Sequence, residues 1–371
     1  MSDYVKYSSA IMEKKKHILF ICGSMNQTTQ MHQIARQLPE YEHAFTPYYC
    51  HGYVEVMRKL GMLEFTVAGS SFVKRTLEYL EKNDLHLDYQ GVARKYDLIV
   101  NCSDLNLPKN TRGVKNVLVQ EGMTDPENFF YHLYKLLPIF PRWIASTSTF
   151  GLSDKYDKFC VASSGYKDFF IRKGVKADKI VITGIPNFDN CAKHYENNFP
   201  HFGYVLVCTS DARETLKYEN RKELILRAKR IAAGRQLIFK LHPNERFGRA
   251  IREIQRYASD ALVFTSGSAE EMIANCEVLI TRFSTTIYVG LALGKEVYSD
   301  FNLAELQQMV PLQNNSAAQN IANVCREIIE NVSPQNKKLR KRTKRRAGVF
   351  IEFAERIEQA RSKKGRSKKQ V

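Results

Sequence analysis

Leu237-Ile-Phe-Lys-Leu-His-Pro-Asn-Glu245 runs an apolar strand straight into a turn carrying a lysine, an imidazole and a proline. A short apolar run bounded by a turn reads as a strand buried on both faces. Open α/β sheets collect their ligands in the crevice beyond the carboxyl ends of such strands. The pattern recurs at Glu277-Val-Leu-Ile-Thr-Arg-Phe-Ser-Thr-Thr286, where a second apolar strand empties into an arginine and three hydroxyls before a helical run ending in Gly294. Two strand ends of this kind in one half of a chain predict a phosphate-bearing ligand.

Working outward, strands are expected at 204–208, 261–264 and 296–299, with helices over 221–233 and 269–274. Towards the N-terminus, Lys16-His-Ile-Leu-Phe-Ile-Cys-Gly-Ser24 is a strand ending in a glycine and a hydroxyl, followed by helical spacing over 30–38. Further strands fall at 98–101, 116–120, 158–163 and 179–184, and helices at 52–60, 71–80 and 165–173, the last closed by Gly174. Strands alternating with helices imply parallel sheets with right-handed crossovers. The expected fold is α/β: two Rossmann-like, doubly wound parallel-sheet domains facing a cleft. The boundary falls near Gly184-Ile-Pro-Asn-Phe-Asp189, where a glycine and a proline interrupt the periodicity. This divides the chain into an N-terminal domain over 1–183, a C-terminal domain over 184–336 and a basic helix and tail over 337–371.

Composition supports two cores: 371 residues with 44% apolar and 11% aromatic content exceed what one ordinary core needs. Neither a membrane-spanning run nor a signal-peptide layout is visible, so a cytoplasmic protein is expected. The eight cysteines lack any Cys-x-x-Cys pair and several sit in strand-like contexts, which favours reduced, buried thiols over metal or disulfide roles. Fifteen Lys and Arg against three Glu in 337–371 account for +12 of the +17 net charge, leaving +5 for the rest. A cationic end on a body of modest charge suits an anchor to an anionic membrane surface, or else a solvated tail. Nothing in the body forms a basic, aromatic-interleaved platform, so nucleic acid is an unlikely partner and stays the non-enzymatic alternative.

Four segments resemble the GT-B superfamily of nucleotide-sugar glycosyltransferases, CDP-glycerol glycerophosphotransferases and UDP-sugar 2-epimerases. Val181-Ile-Thr-Gly-Ile-Pro-Asn-Phe-Asp-Asn190 is similar to the Thr-Gly-x-Pro entry into the second domain, and Lys240-Leu-His-Pro243 to the Lys-x-His-Pro turn of the glycerophosphotransferases. Leu279 to Lys295 resembles the donor-side strand, Ser/Thr turn and helix, and Phe20-Ile-Cys-Gly-Ser24 the first turn of the acceptor domain. Donor helices of this kind often carry an acid soon after the Ser/Thr turn, where this chain has Val289. The resemblance implies a metal-independent enzyme with no cofactor, whose substrate is a nucleotide-sugar donor and whose acceptor is a saccharide or a lipid-linked glycan. CDP-glycerol-type polyol-phosphate transfer and UDP-sugar 2-epimerisation are the alternatives within the fold.

Departure of a nucleotide builds negative charge on phosphate, which needs preorganised donors. Ser284, Thr285 and Thr286 stand where a helix should begin and suit phosphate oxygens or plain N-capping. His242, stiffened by Pro243, suits a leaving-group contact. Lys240 shares its side of the strand and is either a phosphate contact or a surface lysine; Arg282 is either a bidentate phosphate clamp or an ordinary ion pair. Gly23 and Ser24 form the first-domain loop, suited to close approach of a phosphate. In Val117-Leu-Val-Gln-Glu-Gly-Met-Thr-Asp125, Glu121 follows a buried strand and is the preferred base for an acceptor hydroxyl, with Asp125 and Asp104 as rivals. The Glu121-Gly122 pair loosely resembles the acid-acid-glycine motif of sialyl- and related transferases, with Gln120 in place of the first acid.

Overall fold

The computed structural model describes residues 15–330 apart from positions 65, 106, 128, 138–141, 215–217 and 283. The helix and tail expected over 337–371 lie outside the described residues. One sheet holds β1 (His17–Ile21), β2 (Glu42–Thr46), β3 (Leu98–Asn101), β4 (Lys115–Val119), β5 (Lys158–Val161) and β6 (Ile180–Ile182), in the order β2-β1-β3-β4-β5-β6. Around it lie α1 (Met25–Ala35), α2 (Tyr53–Lys59), α3 (Ser70–Lys82), α4 (Phe129–Leu136) and α5 (Ser164–Lys173). The other sheet holds β7 (Val205–Cys208), β8 (Leu237–Lys240), β9 (Leu262–Phe264), β10 (Val278–Ile280) and β11 (Glu296–Tyr298), in the order β11-β10-β7-β8-β9. Its helices are α6 (Arg221–Ala232), α7 (Phe247–Tyr257), α8 (Ala269–Asn275), α9 (Thr286–Ala292) and α10 (Leu303–Met309), and α11 (Ala317–Glu330) follows. Every strand pair is parallel. The expected two-domain, doubly wound architecture is the one observed.

Parallel strands covered on both faces read as unbroken apolar runs. Accordingly Val117, Leu118 and Val119 of β4 are fully buried, as is the whole of β8. Helix α5 shows how local chemistry sets element ends. The Ser163 hydroxyl accepts from Tyr166 N at its start, and Gly174, at φ 107°, closes it in the left-handed conformation that glycine adopts without a Cβ penalty.

Two packing features bind the domains together. Helix α11, within the 184–336 segment, returns to the first sheet, where Ile321, Cys325 and Ile329 pack with Ile18, Phe20, Val100 and Val117. Phe170, Ile185, Phe188, Tyr288 and Leu306 share one core cluster that runs from α5 through the linker to α9 and α10. Within it the Tyr166 hydroxyl of α5 hydrogen-bonds the Tyr288 hydroxyl of α9, both rings buried. All eight cysteines are buried. No helix among the described residues is long and apolar enough to cross a membrane.

Strand order marks where ligands bind. The order in which strands are laid down reverses between β1 and β3 in the first sheet and between β7 and β10 in the second. At such a switch point neighbouring crossovers leave on opposite faces and open a crevice at the strands' carboxyl ends. The β1 turn carries Gly23 and Ser24; the β10 turn carries Arg282 and Ser284 to Thr286.

Candidate active site

Ser24 caps α1 by accepting from Gln27 N at 3.2 Å. Its own hydroxyl donates to Glu121 Oε1 at 2.5 Å, and Gln27 Nε2 donates to Glu121 Oε2 at 2.6 Å. Both oxygens of the β4 carboxylate are therefore aimed by the first turn of α1. Burial raises the Glu121 pKa above the usual carboxylate range, and the bonds from Ser24 and Gln27 pull it partly back. The residue is half-buried.

Gln120 acts as a brace. Its Nε2 donates to Gly122 O at 2.8 Å while its Oε1 accepts from Ala162 N at 2.9 Å, which holds the turn behind Glu121. Of the rival acids, Asp104 is consumed structurally: buried, it accepts from Arg142 Nη2 at 2.8 Å, Gly151 N at 3.1 Å and Ser153 N at 3.0 Å. Asp125 is half-buried, with its backbone N–H donating to Thr147 Oγ1 at 2.8 Å.

The second domain meets this wall at Gly122, where a Cβ would stand 2.5 Å from Thr285 Cγ2. The hydroxyl turn thus abuts the turn that carries Glu121. Ser284 Oγ accepts from Thr286 N at 3.3 Å and from Thr286 Oγ1 at 2.9 Å, whereas Thr285 stands at the helix cap with no side-chain capping bond.

His242 lies beyond β8, two strands from β10 across β7, a lateral offset of about 10 Å. Its backbone N–H donates to Thr209 Oγ1 at 3.0 Å and to Glu245 Oε2 at 3.1 Å. Asn244 N donates to His242 Nδ1 at 3.2 Å, which leaves Nε2 to carry the proton of the neutral ring. Nδ1 lies 3.7 Å from Asp211 Oδ2, and the side chain is 37% exposed. Beneath it, the wholly buried Glu245 side chain pairs with Arg221 Nη2 at 2.6 Å; Arg221 also contacts Glu219, which accepts from Ser210 Oγ at 2.8 Å. This ionic group fastens the β7 and β8 turns to each other.

Two of the expected contacts are turned elsewhere. Lys240 is buried, and its Nζ donates to Leu241 O at 3.1 Å; burial lowers its pKa, against the influence of Cys208 and Glu270. Arg282 Nε donates to Asp300 Oδ2 at 2.5 Å, so the residue is held in an ion pair. Sequence reasoning had no place for Gln27, for Thr209-Ser210-Asp211 or for the Glu245–Arg221–Glu219 group. Of these, Thr209-Ser210-Asp211 did carry a signal, since it repeats the strand-then-hydroxyl pattern of β10.

No family model and no curated protein matches the chain. Solved structures do. A UDP-GlcNAc 2-epimerase from Methanocaldococcus jannaschii, in complex with UDP-GlcNAc and UDP, is 13% identical at a TM-score of 0.49, over 90% of this chain and 99% of that one. One from Neisseria meningitidis, bound to UDP-GlcNAc, is 12% identical at 0.46, over 85% and 92%. The wall teichoic acid polymerase TagF is 10% identical at 0.48, over 85% and 89%.

Proposed function

We propose that this protein is a glycosyltransferase of the GT-B type, moving a sugar from a nucleotide-activated donor to a hydroxyl of a saccharide or lipid-linked acceptor in cell-surface glycan synthesis. One observation carries the proposal: a carboxylate of raised proton affinity, held by Ser24 and Gln27, lies at the contact between domains, against a turn of hydroxyls from the other sheet. Glu121 takes the proton of the acceptor hydroxyl as that oxygen bonds to the sugar's anomeric carbon. The bond from that carbon to the donor's phosphate oxygen breaks, and the nucleotide leaves with the electron pair. The hydroxyls of Ser284 to Thr286 and the amides near Gly23 hold the phosphate, with His242 Nε2 as a further donor; no metal or cofactor takes part.

The test is a donor screen on the full chain. Radiolabelled UDP-, CMP- and CDP-activated sugars and polyols are offered with a bacterial lipid extract and oligosaccharides as acceptors. Label should enter an acceptor with release of free nucleotide, and Glu121→Gln should slow this by about 10²–10⁴-fold, the usual contribution of a positioned base. Label found only in an epimerised nucleotide sugar, or transferred only as a polyol phosphate, would overturn the assignment.

A further inference from the structure

Gly23, in the turn after β1, is a glycine for a reason other than backbone conformation. It is not among the residues at positive φ, where glycines such as Gly52 and Gly174 are found, so an alanine could take up its backbone without strain. What excludes a side chain is a neighbour. A Cβ on Gly23 would overlap Gln27 Oε1, with Gln27 Cδ at 3.0 Å and Val67 Cβ at 3.4 Å. The amide of Gln27 therefore lies across the Cα of Gly23, and both residues are buried.

The turn is pinned where it stands. Buried Thr76 of α3 donates from Oγ1 to Gly23 O at 3.1 Å, and Thr28 Oγ1 donates to Ser24 O at 2.9 Å. A methyl group on Gly23 would thus be relieved by rotating the Gln27 side chain, since its torsions move more readily than a hydrogen-bonded turn. That rotation has a chemical consequence. Gln27 Nε2 donates to Glu121 Oε2 at 2.6 Å, a bond that favours the ionised carboxylate against the effect of its burial. Cys102, the titratable neighbour whose charge would also act on Glu121, is buried with its thiol pushed well above the usual range, so it stays neutral.

We infer that Gly23 is a positioning residue for Glu121, kept bare so that the Gln27 amide can lie over it and grip the carboxylate. The space that the sequence reserved for a close-approaching phosphate is taken by the protein's own amide. The turn can still offer a ligand its backbone N–H groups, but not the face of its glycine. The inference rests on the reading of Glu121 as the base for its catalytic meaning, though not for its geometry.

The experiment is a double-mutant cycle on the full chain with two substrate-free readouts: thermal melting, and titration of the Glu121 carboxyl carbon by carbon-13 NMR, its signal assigned from Glu121→Gln. Gln27→Ala should raise the Glu121 midpoint by about one pH unit, the effect of losing a hydrogen bond to a charged group. Gly23→Ala should raise it as far, although it removes no hydrogen-bonding side chain. In the double variant the new methyl enters the space that the amide has vacated, so midpoint and melting temperature should match those of Gln27→Ala alone. Should Gly23→Ala fail to fold, the double variant should restore a cooperative melt. A wild-type midpoint in folded Gly23→Ala overturns the inference, as do effects that add in the double variant, or a double variant that cannot fold where Gln27→Ala can. Weaker binding of UDP by Gly23→Ala with an unmoved Glu121 midpoint overturns it in favour of a glycine that admits phosphate. Sugar transfer retained by Glu121→Gln would instead remove the base assignment and leave these readouts unchanged.

Discussion

A Cβ on Gly122 would lie 2.5 Å from Cγ2 of Thr285, so the turn after β4 and the turn before α9 touch where only a glycine fits. Gly122→Ala should push the domains apart at the point that aligns Glu121 with the hydroxyl turn. Displacements of about 1 Å in a reacting geometry cost on the order of 10²-fold in rate. Thr285→Ser deletes the opposing methyl and keeps the hydroxyl, so the double variant should recover most of the loss. Steady-state kinetics of the two single variants and the double variant would decide; absence of recovery would mean that the contact does not set the alignment.

Glu121 makes a second prediction, about pH. An acid whose folded pKa is raised by burial binds its proton above the usual carboxylate range, so the rate should rise with pH through that raised value. Folding has the opposite dependence: above the ordinary pKa the unfolded chain gives up the proton while the fold still holds it, and stability declines as pH climbs to the folded value. Glu121→Gln should therefore abolish the acid limb of the kcat/KM profile and remove this loss of stability. Thermal melts at several pH values, compared with wild type, test the second half without any substrate.

The hydroxyl pair of Tyr166 and Tyr288 bridges the domains within a shared core. Tyr166 has further partners in Gln120 and the Thr124 backbone, whereas the Tyr288 hydroxyl bonds that of Tyr166. Tyr166→Phe should thus cost about 1–3 kcal/mol by stranding the Tyr288 hydroxyl, and Tyr288→Phe should cost less. Urea titrations of both variants and of the double variant would show the asymmetry; equal losses would contradict it.

Glu245 sits under the His-Pro turn with no exposed side chain and an arginine at 2.6 Å. Glu245→Ala leaves Arg221 buried beside Glu219 alone and leaves the His242 backbone N–H with Thr209 Oγ1 as its acceptor. Removing one partner of a buried pair costs about 3–5 kcal/mol. Chemical denaturation should find a loss of that size, and a loss below about 1 kcal/mol would show that water or Glu219 takes over the charge.

Much of the architecture was legible because its signals are local. β3 spans the expected 98–101, and α5 ends at the glycine that announced its end. Of the elements not expected, α7 and α11 carry apolar residues at helical spacing of their own, whereas β2 and α4 lack such local signals. β2 reads Glu-His-Ala-Phe-Thr, a polar edge strand without an apolar run; α4 packs its apolar residues outwards, contrary to the usual pattern. α11 has clear helical character, yet nothing in its own residues tells that its face fits the first sheet rather than the second. The same limit applies at the site. Ser24 and Glu121 were both visible as strand-end residues, but their bond spans 97 positions and depends on the sheet order. Arg282 was ambiguous for the same reason, since Asp300 reaches it only once β11 pairs with β10.

Lys173 tests a different consequence of burial. It is 4% exposed; its Nζ contacts Ser148 O and lies over the rings of Tyr131 and Phe169. Burial lowers its pKa from 10.5 to about 8. Below about 8 both folded and unfolded chains carry the charge, so the whole cost of burying it bears on the fold. Between about 8 and 10.5 only the unfolded chain stays protonated, so raising the pH stabilises the native state. Lys173→Met keeps the side chain's bulk and removes the titration, at the expense of the donor to the Ser148 carbonyl. The unfolding free energy of wild type should therefore gain on that of Lys173→Met as pH rises across this window, because only the wild type sheds a buried charge. A constant difference between the two chains from neutral to alkaline pH would mean that the ammonium keeps its proton in the fold, supported by the rings and by Glu127.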